Sequence, residues 1–82
     1  MSAMKESLWD RRERVWGEVE RIKFAWPAAE VIGSRYGATV VIEEPRSTYI
    51  IRVLPDSVRS LHIAYGEDGQ GITDGWRQGW VD

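Results

Sequence analysis

Thr48-Tyr49-Ile50-Ile51-Arg52-Val53-Leu54 is the stretch on which the fold turns. Successive side chains of a strand point to opposite faces, so Tyr49, Ile51 and Val53 share one side and Ile50, Arg52 and Leu54 the other. Both sides are largely apolar, and such a strand is expected at the centre of a sheet, covered on both faces. Residues 39 to 43 have the same β-branched character, and Glu44-Pro45-Arg46-Ser47 joins the two runs with proline at the second turn position. The pattern predicts a β-hairpin.

Reading outward, Pro55-Asp56-Ser57 marks a turn, after which Leu61, Ile63 and Tyr65 alternate with Ser60, His62 and Ala64 as a third strand. The segment from Gly66 to Gly71 is a mobile turn in which glycine supplies positive φ. Residues 72 to 81 are expected as a last strand, weakened by Gly75 and Gly79. On the other side of the hairpin the periodicity becomes helical. Met4, Leu8, Val15, Val19 and Ile22 recur at spacings of three, four or seven, which predicts one long helix over residues 3 to about 25. Asp10 with Arg14, Arg14 with Glu18 and Glu20 with Lys23 could pair on its solvated face. Gly17 in its middle is read as tolerated. Pro27 should end the helix and open a second, shorter one running to about Tyr36, with Gly37 as its stop. The expected fold is α+β, one domain over residues 1 to 82, with a long and a short helix packed on a three- or four-stranded antiparallel sheet.

Composition narrows the function. The 82 residues are 43% hydrophobic and 29% charged, which suits a folded domain with a modest core. There is no cysteine, so disulfides, thiolate metal sites and cysteine nucleophiles are outside its chemistry. The reducing cytoplasm is the expected compartment, and no signal peptide or membrane span is expected. The net charge is −2, with six basic and five acidic residues in the first 26 and five and eight in the rest. That balance disfavours a general nucleic-acid binder, whose affinity comes from clustered Lys and Arg.

Catalytic groupings are missing from the local sequence. His62 is the one histidine, there is no cysteine, and nothing in the local sequence supports grouping it with a serine and an aspartate as a triad, so it reads as a residue on the outer side of a strand. Glu43 with Glu44, and Glu67 with Asp68, are adjacent pairs, and adjacent strand residues face opposite ways. Glu67, Asp68, Gln70 and Asp74 lack the spacing of a calcium loop. Gly66, Gly69 and Gly71 lack the lysine of a phosphate-binding loop. No enzyme activity, metal or cofactor is expected.

Binding is the remaining class. Trp9 and Trp16 flank the apolar stripe of the helix with Arg12 between them, and Trp and Arg are enriched among interface hot spots. Trp76 and Trp80 would share one face of the last strand, either stacking on a partner or closing one end of the sheet. Trp9, Arg12, Trp16, Trp76 and Trp80 are therefore candidate partner-binding residues, joined by Glu43, Glu44, Glu67, Asp68 and Asp74 as an acidic surface suited to a basic groove. In size and charge alone the chain resembles phage-encoded inhibitors, anti-CRISPR proteins among them, and bacterial immunity proteins. The resemblance implies a small protein that sterically blocks a larger protein or protein–nucleic acid complex. The alternative is a nucleic-acid-binding module using Lys5, Arg11, Arg12, Arg14 and Arg21, and a homodimer pairing through Trp9 and Trp16 is a further expectation.

Overall fold

The computed structural model describes residues 7–80. Helix α1 covers Leu8–Ala25. Its start is set by Ser7, whose hydroxyl accepts the Asp10 backbone N–H at 3.1 Å while the Asp10 carboxylate accepts the Ser7 N–H at 3.4 Å. This capping box satisfies two donors that the helix itself leaves unpaired. Trp26 forms the C-cap, and its N–H still bonds the Ile22 carbonyl at 2.8 Å. Val15, Val19 and Ile22 form the buried stripe that the periodicity predicted. Met4 and the Leu8 side chain lie outside the described residues.

Residues 27 to 36 are not a second helix. Pro27 and Ala28 make a turn closed by the Ala29 N–H on the Trp26 carbonyl at 3.0 Å, and the chain then enters strand β1, Glu30–Gly33. Lys23 fastens this reversal by donating to the carbonyls of Pro27 and Ala29 at 2.8 and 2.9 Å, instead of pairing with Glu20. Val31 and Ile32 are β-branched and find a partner strand, which outweighs the weak helical signal of the segment. Ser34 to Gly37 is a tight turn in which the Ser34 hydroxyl bonds both the N–H and the carbonyl of Gly37. Gly37 therefore serves as a point of close approach rather than a helix stop. A Cβ there would lie 2.3 Å from the Val53 carbonyl oxygen.

Strands β2 (Ala38–Glu44), β3 (Ser47–Leu54) and β4 (Ser57–Tyr65) follow as an antiparallel meander, close to the expected hairpins. The sheet runs β1-β2-β3-β4, and two short strands, β5 (Gly71–Ile72) and β6 (Arg77–Gln78), share the outer edge of β4. The fold is thus α+β, with one helix on a sheet wider than three or four strands. The tail is not the continuous strand expected over residues 72 to 81. Gly75 and Gly79 adopt φ of 93° and 73°, which break the extended run between and after the two short pairings, and Val81 lies outside the described residues.

Helix α1 packs on one face of β2 and β3. Its buried stripe meets Ala38, Val40, Ile42, Ile51 and Val53, of which Val40, Ile51 and Val53, together with Ile22, are essentially inaccessible. Burying each of those four contributes about 1.5–3 kcal/mol. Among the described residues no helix lies on the other face of the sheet. Two glycine substitutions separate open from closed surroundings. Gly17→Ala adds a methyl to empty space on an exposed helical position and should raise stability by about 1 kcal/mol. Gly37→Ala should lower the melting temperature, because the methyl collides with backbone. Thermal melts of the two variants against wild type check both signs.

Candidate functional site

The sequence-derived candidates do not gather at one place. At one end of the sheet the β1–β2 turn and the β3–β4 turn come beside the N-terminal half of α1, enclosing a cleft of about 460 Å³. Val15 and Pro55 make its apolar floor, and Arg11, Arg12, Arg35, Trp16 and Tyr36 its walls. Trp16 is 40% exposed and rests against Gly33, where a Cβ would sit 3.5 Å from the indole ring. Tyr36 is 68% exposed, with the Arg35 guanidinium 5.7 Å from its ring centroid. Among the described residues none that lines the cleft is acidic, and no carboxylate pairs with Arg11, Arg12 or Arg35. Such a site offers a concave apolar floor, two exposed aromatic faces and three guanidinium donors, which suits a ligand that is both anionic and apolar.

Arg12 and Trp16 of the predicted helix face are therefore brought together, whereas Trp9, 67% exposed, stands outside the cleft lining. Arg11 belonged to the basic helix set, but Arg35, Tyr36 and Pro55 were not singled out in the sequence. The first two lie in the segment read as a helix, where they have no reason to meet residue 12. The remaining basic residues of the helix are otherwise engaged. Arg14 reaches Asp56 in the β3–β4 turn at 3.3 Å, and Arg21 pairs with Glu18 at 3.3 Å. These are exposed pairs worth at most about 1 kcal/mol, yet they turn both side chains toward acids. Lys5 lies outside the described residues.

The acidic candidates gather at the opposite end. Glu43 and Glu44 close β2, and Glu67 and Asp68 follow β4 in a neighbouring turn, since the Tyr65 N–H bonds the Arg46 carbonyl at 2.8 Å. Among the described residues of these two turns Arg46 is the one basic side chain. The end bearing the cleft instead holds Arg11, Arg12, Arg14, Arg35, Arg52 and Arg59 against Asp10, Glu13 and Asp56. The small net charge thus conceals two ends of opposite sign.

Asp74 joins neither end. Its carboxylate lies 3.5 Å from the Arg77 guanidinium at the edge of a second concavity, of about 360 Å³, that also holds Ser60, His62 and Tyr49. His62 is exposed, yet it is not on the outer face expected: the register sets it opposite Tyr49 on the face that carries α1, and the two rings meet edge-on, centroids 5.9 Å apart. Among the described residues no hydrogen bond links Ser60, His62 and Asp74, so the concavity does not assemble a nucleophile, base and orienting acid. No cluster of three or more metal-ligating side chains occurs among the described residues, and no helix there is long and apolar enough to cross a membrane.

The two tail tryptophans do not share a face. Trp80 turns into the protein, stacks edge-on against Trp26 at 5.7 Å and donates its indole N–H to the Glu18 carboxylate, so it belongs with the core. Trp76 stays 48% exposed. The positive φ at Gly79 reverses the chain between them, which undoes the period-two spacing. Trp80→Ala should accordingly destabilise the fold by about 3 kcal/mol. Trp76→Ala should change stability by less than about 1 kcal/mol. Urea titrations followed by circular dichroism compare the two. No family model matches this sequence, and neither a curated protein nor a solved structure matches it.

Proposed function

We propose that this protein is a non-enzymatic binding module that grips an acidic segment of a larger protein in the cleft between α1 and the β1–β2 turn, and so blocks the surface to which that segment belongs. The observation that carries the reading is the convergence of Trp16 and Tyr36 with Arg11, Arg12 and Arg35 around an apolar floor. Trp, Tyr and Arg are the residue types in which binding energy concentrates at protein interfaces, most effectively where a pocket excludes water. An extended peptide carrying an aliphatic side chain beside a carboxylate fits both halves of the site. Steric inhibition needs no reacting group. An inhibitor or adaptor of the phage or immunity-protein kind is one form of this activity.

The alternative is a nucleic-acid-binding module, and one observation favours it: the arginine-rich end extends past the cleft to Arg52 and Arg59 on the sheet. Against it, the acidic end repels a long phosphate backbone, and Arg14 and Arg21 are turned to carboxylates.

Selection from a displayed peptide library, with single-stranded DNA and RNA as parallel probes, tests both readings. Acidic peptides with an aliphatic anchor should be enriched. Trp16→Ala, Tyr36→Ala or Arg12→Glu should each weaken their binding roughly tenfold or more. Glu67→Lys together with Asp68→Lys should leave it unchanged. Cleft variants that bind the selected peptides as well as wild type does would refute the assignment. Oligonucleotide binding that falls steeply with salt, in the absence of peptide binding, would transfer it to nucleic acid.

A further inference from the structure

We infer that the face of the sheet opposite α1 is the interface of a homodimer, in which two copies pack sheet against sheet. The proposal is independent of the cleft, which lies on the helix side of one end.

The register places a continuous cross-strand row, Val41–Ile50–Leu61, at the middle of this face. Ile63 on β4 and Ile32 on β1 extend it, and Ile32 is 54% exposed. Antiparallel sheets with one solvated face normally alternate apolar inward with polar outward. Here the outward positions of the three longest strands are aliphatic at their centre, and nothing among the described residues covers them. Gly71 at the rim keeps the face low, since a Cβ there would fall 2.7 Å from Ile63 Cγ2.

Charge selects a second copy as the occupant. Arg52 and Arg59 stand directly opposite each other on this face, an arrangement that like charges disfavour, and among the described residues neither has an acidic partner. Glu43 is exposed on the same face, in the row on the other side of Val41–Ile50–Leu61, and it too has no basic partner there. Glu43 and Arg52 are two rows apart within one chain, about 13 Å along the strands, too far to pair. A two-fold axis lying across the strands through the aliphatic row brings that row against its own copy. The row of Arg52 and Arg59 then lies over the partner's row of Glu43, Thr48 and Ile63, with Arg52 offset sideways by one strand spacing, about 5 Å, from the partner's Glu43 across a sheet-to-sheet gap of about 10 Å, which the two long side chains span. The symmetry makes the contact twice. Glu30 meets its own copy only at the β1 edge, on the solvated rim where salt screens like charges. The face is smaller than the roughly 20–30 residues a side of a standard interface, so the dimer should form in a concentration-dependent way rather than obligately.

Sedimentation equilibrium from micromolar to millimolar protein tests this, with circular dichroism to verify folding. Wild type should shift from the 9.4 kDa monomer to twice that mass. Ile50→Glu should raise the dimer dissociation constant by roughly a hundredfold. Arg52→Glu alone and Glu43→Arg alone should each raise it roughly tenfold or more, and the double variant carrying both changes should restore it. The exchange needs no change in the aliphatic row, so it decides the matter even if Ile50→Glu fails to fold. A protein that stays monomeric throughout overturns the proposal, whether the face proves to bind another protein or an oligonucleotide. So does a dimer that ignores both charge variants, or one lost in Trp9→Ala or Trp16→Ala while folded Ile50→Glu retains it.

Discussion

The register of β3 is the constraint on which the rest of the structure depends. Ile51 and Val53 must face Val15, Val19 and Ile22, and Arg52 between them must not. Side chains alternate with period two, so a slip of one residue would exchange the whole set and carry a guanidinium into the core. Because β3 pairs along its full length with β2 and β4, fixing it fixes both neighbours and positions their turns. The β1–β2 and β3–β4 turns then fall at the same end, beside the first half of the helix. The cleft is a consequence of that registration.

Much of this was legible in the amino-acid sequence because it rests on short-range periodicity. The 3.6-residue stripe of Val15, Val19 and Ile22, the alternation in residues 48 to 54 and the proline-bearing turn at Pro45 each carry their own signal. The segment from Pro27 to Tyr36 does not. Proline suits the first turn of a helix and equally a reversal, and only the availability of β2 as a partner decides for strand. That one ambiguity hid Arg35 and Tyr36, two of the five residues of the cleft wall. The tail failed for a related reason. Trp76 and Trp80 have strand spacing, but the left-handed conformation of Gly79 is a property of the closed structure, in which Trp80 reaches Trp26 and Glu18 across most of the chain's length.

The sequence also contained a signal that the fold leaves unspent. A strand apolar on both sides implies two covering layers, and α1 supplies one. The same reasoning that located the core at Ile51 and Val53 therefore points outward at Ile50. The two candidate surfaces differ in kind: the cleft is concave and lined by aromatic and guanidinium groups, whereas the sheet is flat, aliphatic and bordered by separated charges. Each can be occupied without obstructing the other.

The opposition between an arginine-rich end and an end built from Glu43, Glu44, Glu67 and Asp68 has a physical consequence of its own. Seen from a distance the molecule is less a weak anion than an electric dipole lying along the strands. In the field of a charged surface it would be turned before it is touched, presenting one end first, and this orientation raises the fraction of encounters that begin in a productive pose. On a chromatographic support the same property would show as retention by either sign of exchanger, which its net charge of −2 does not suggest.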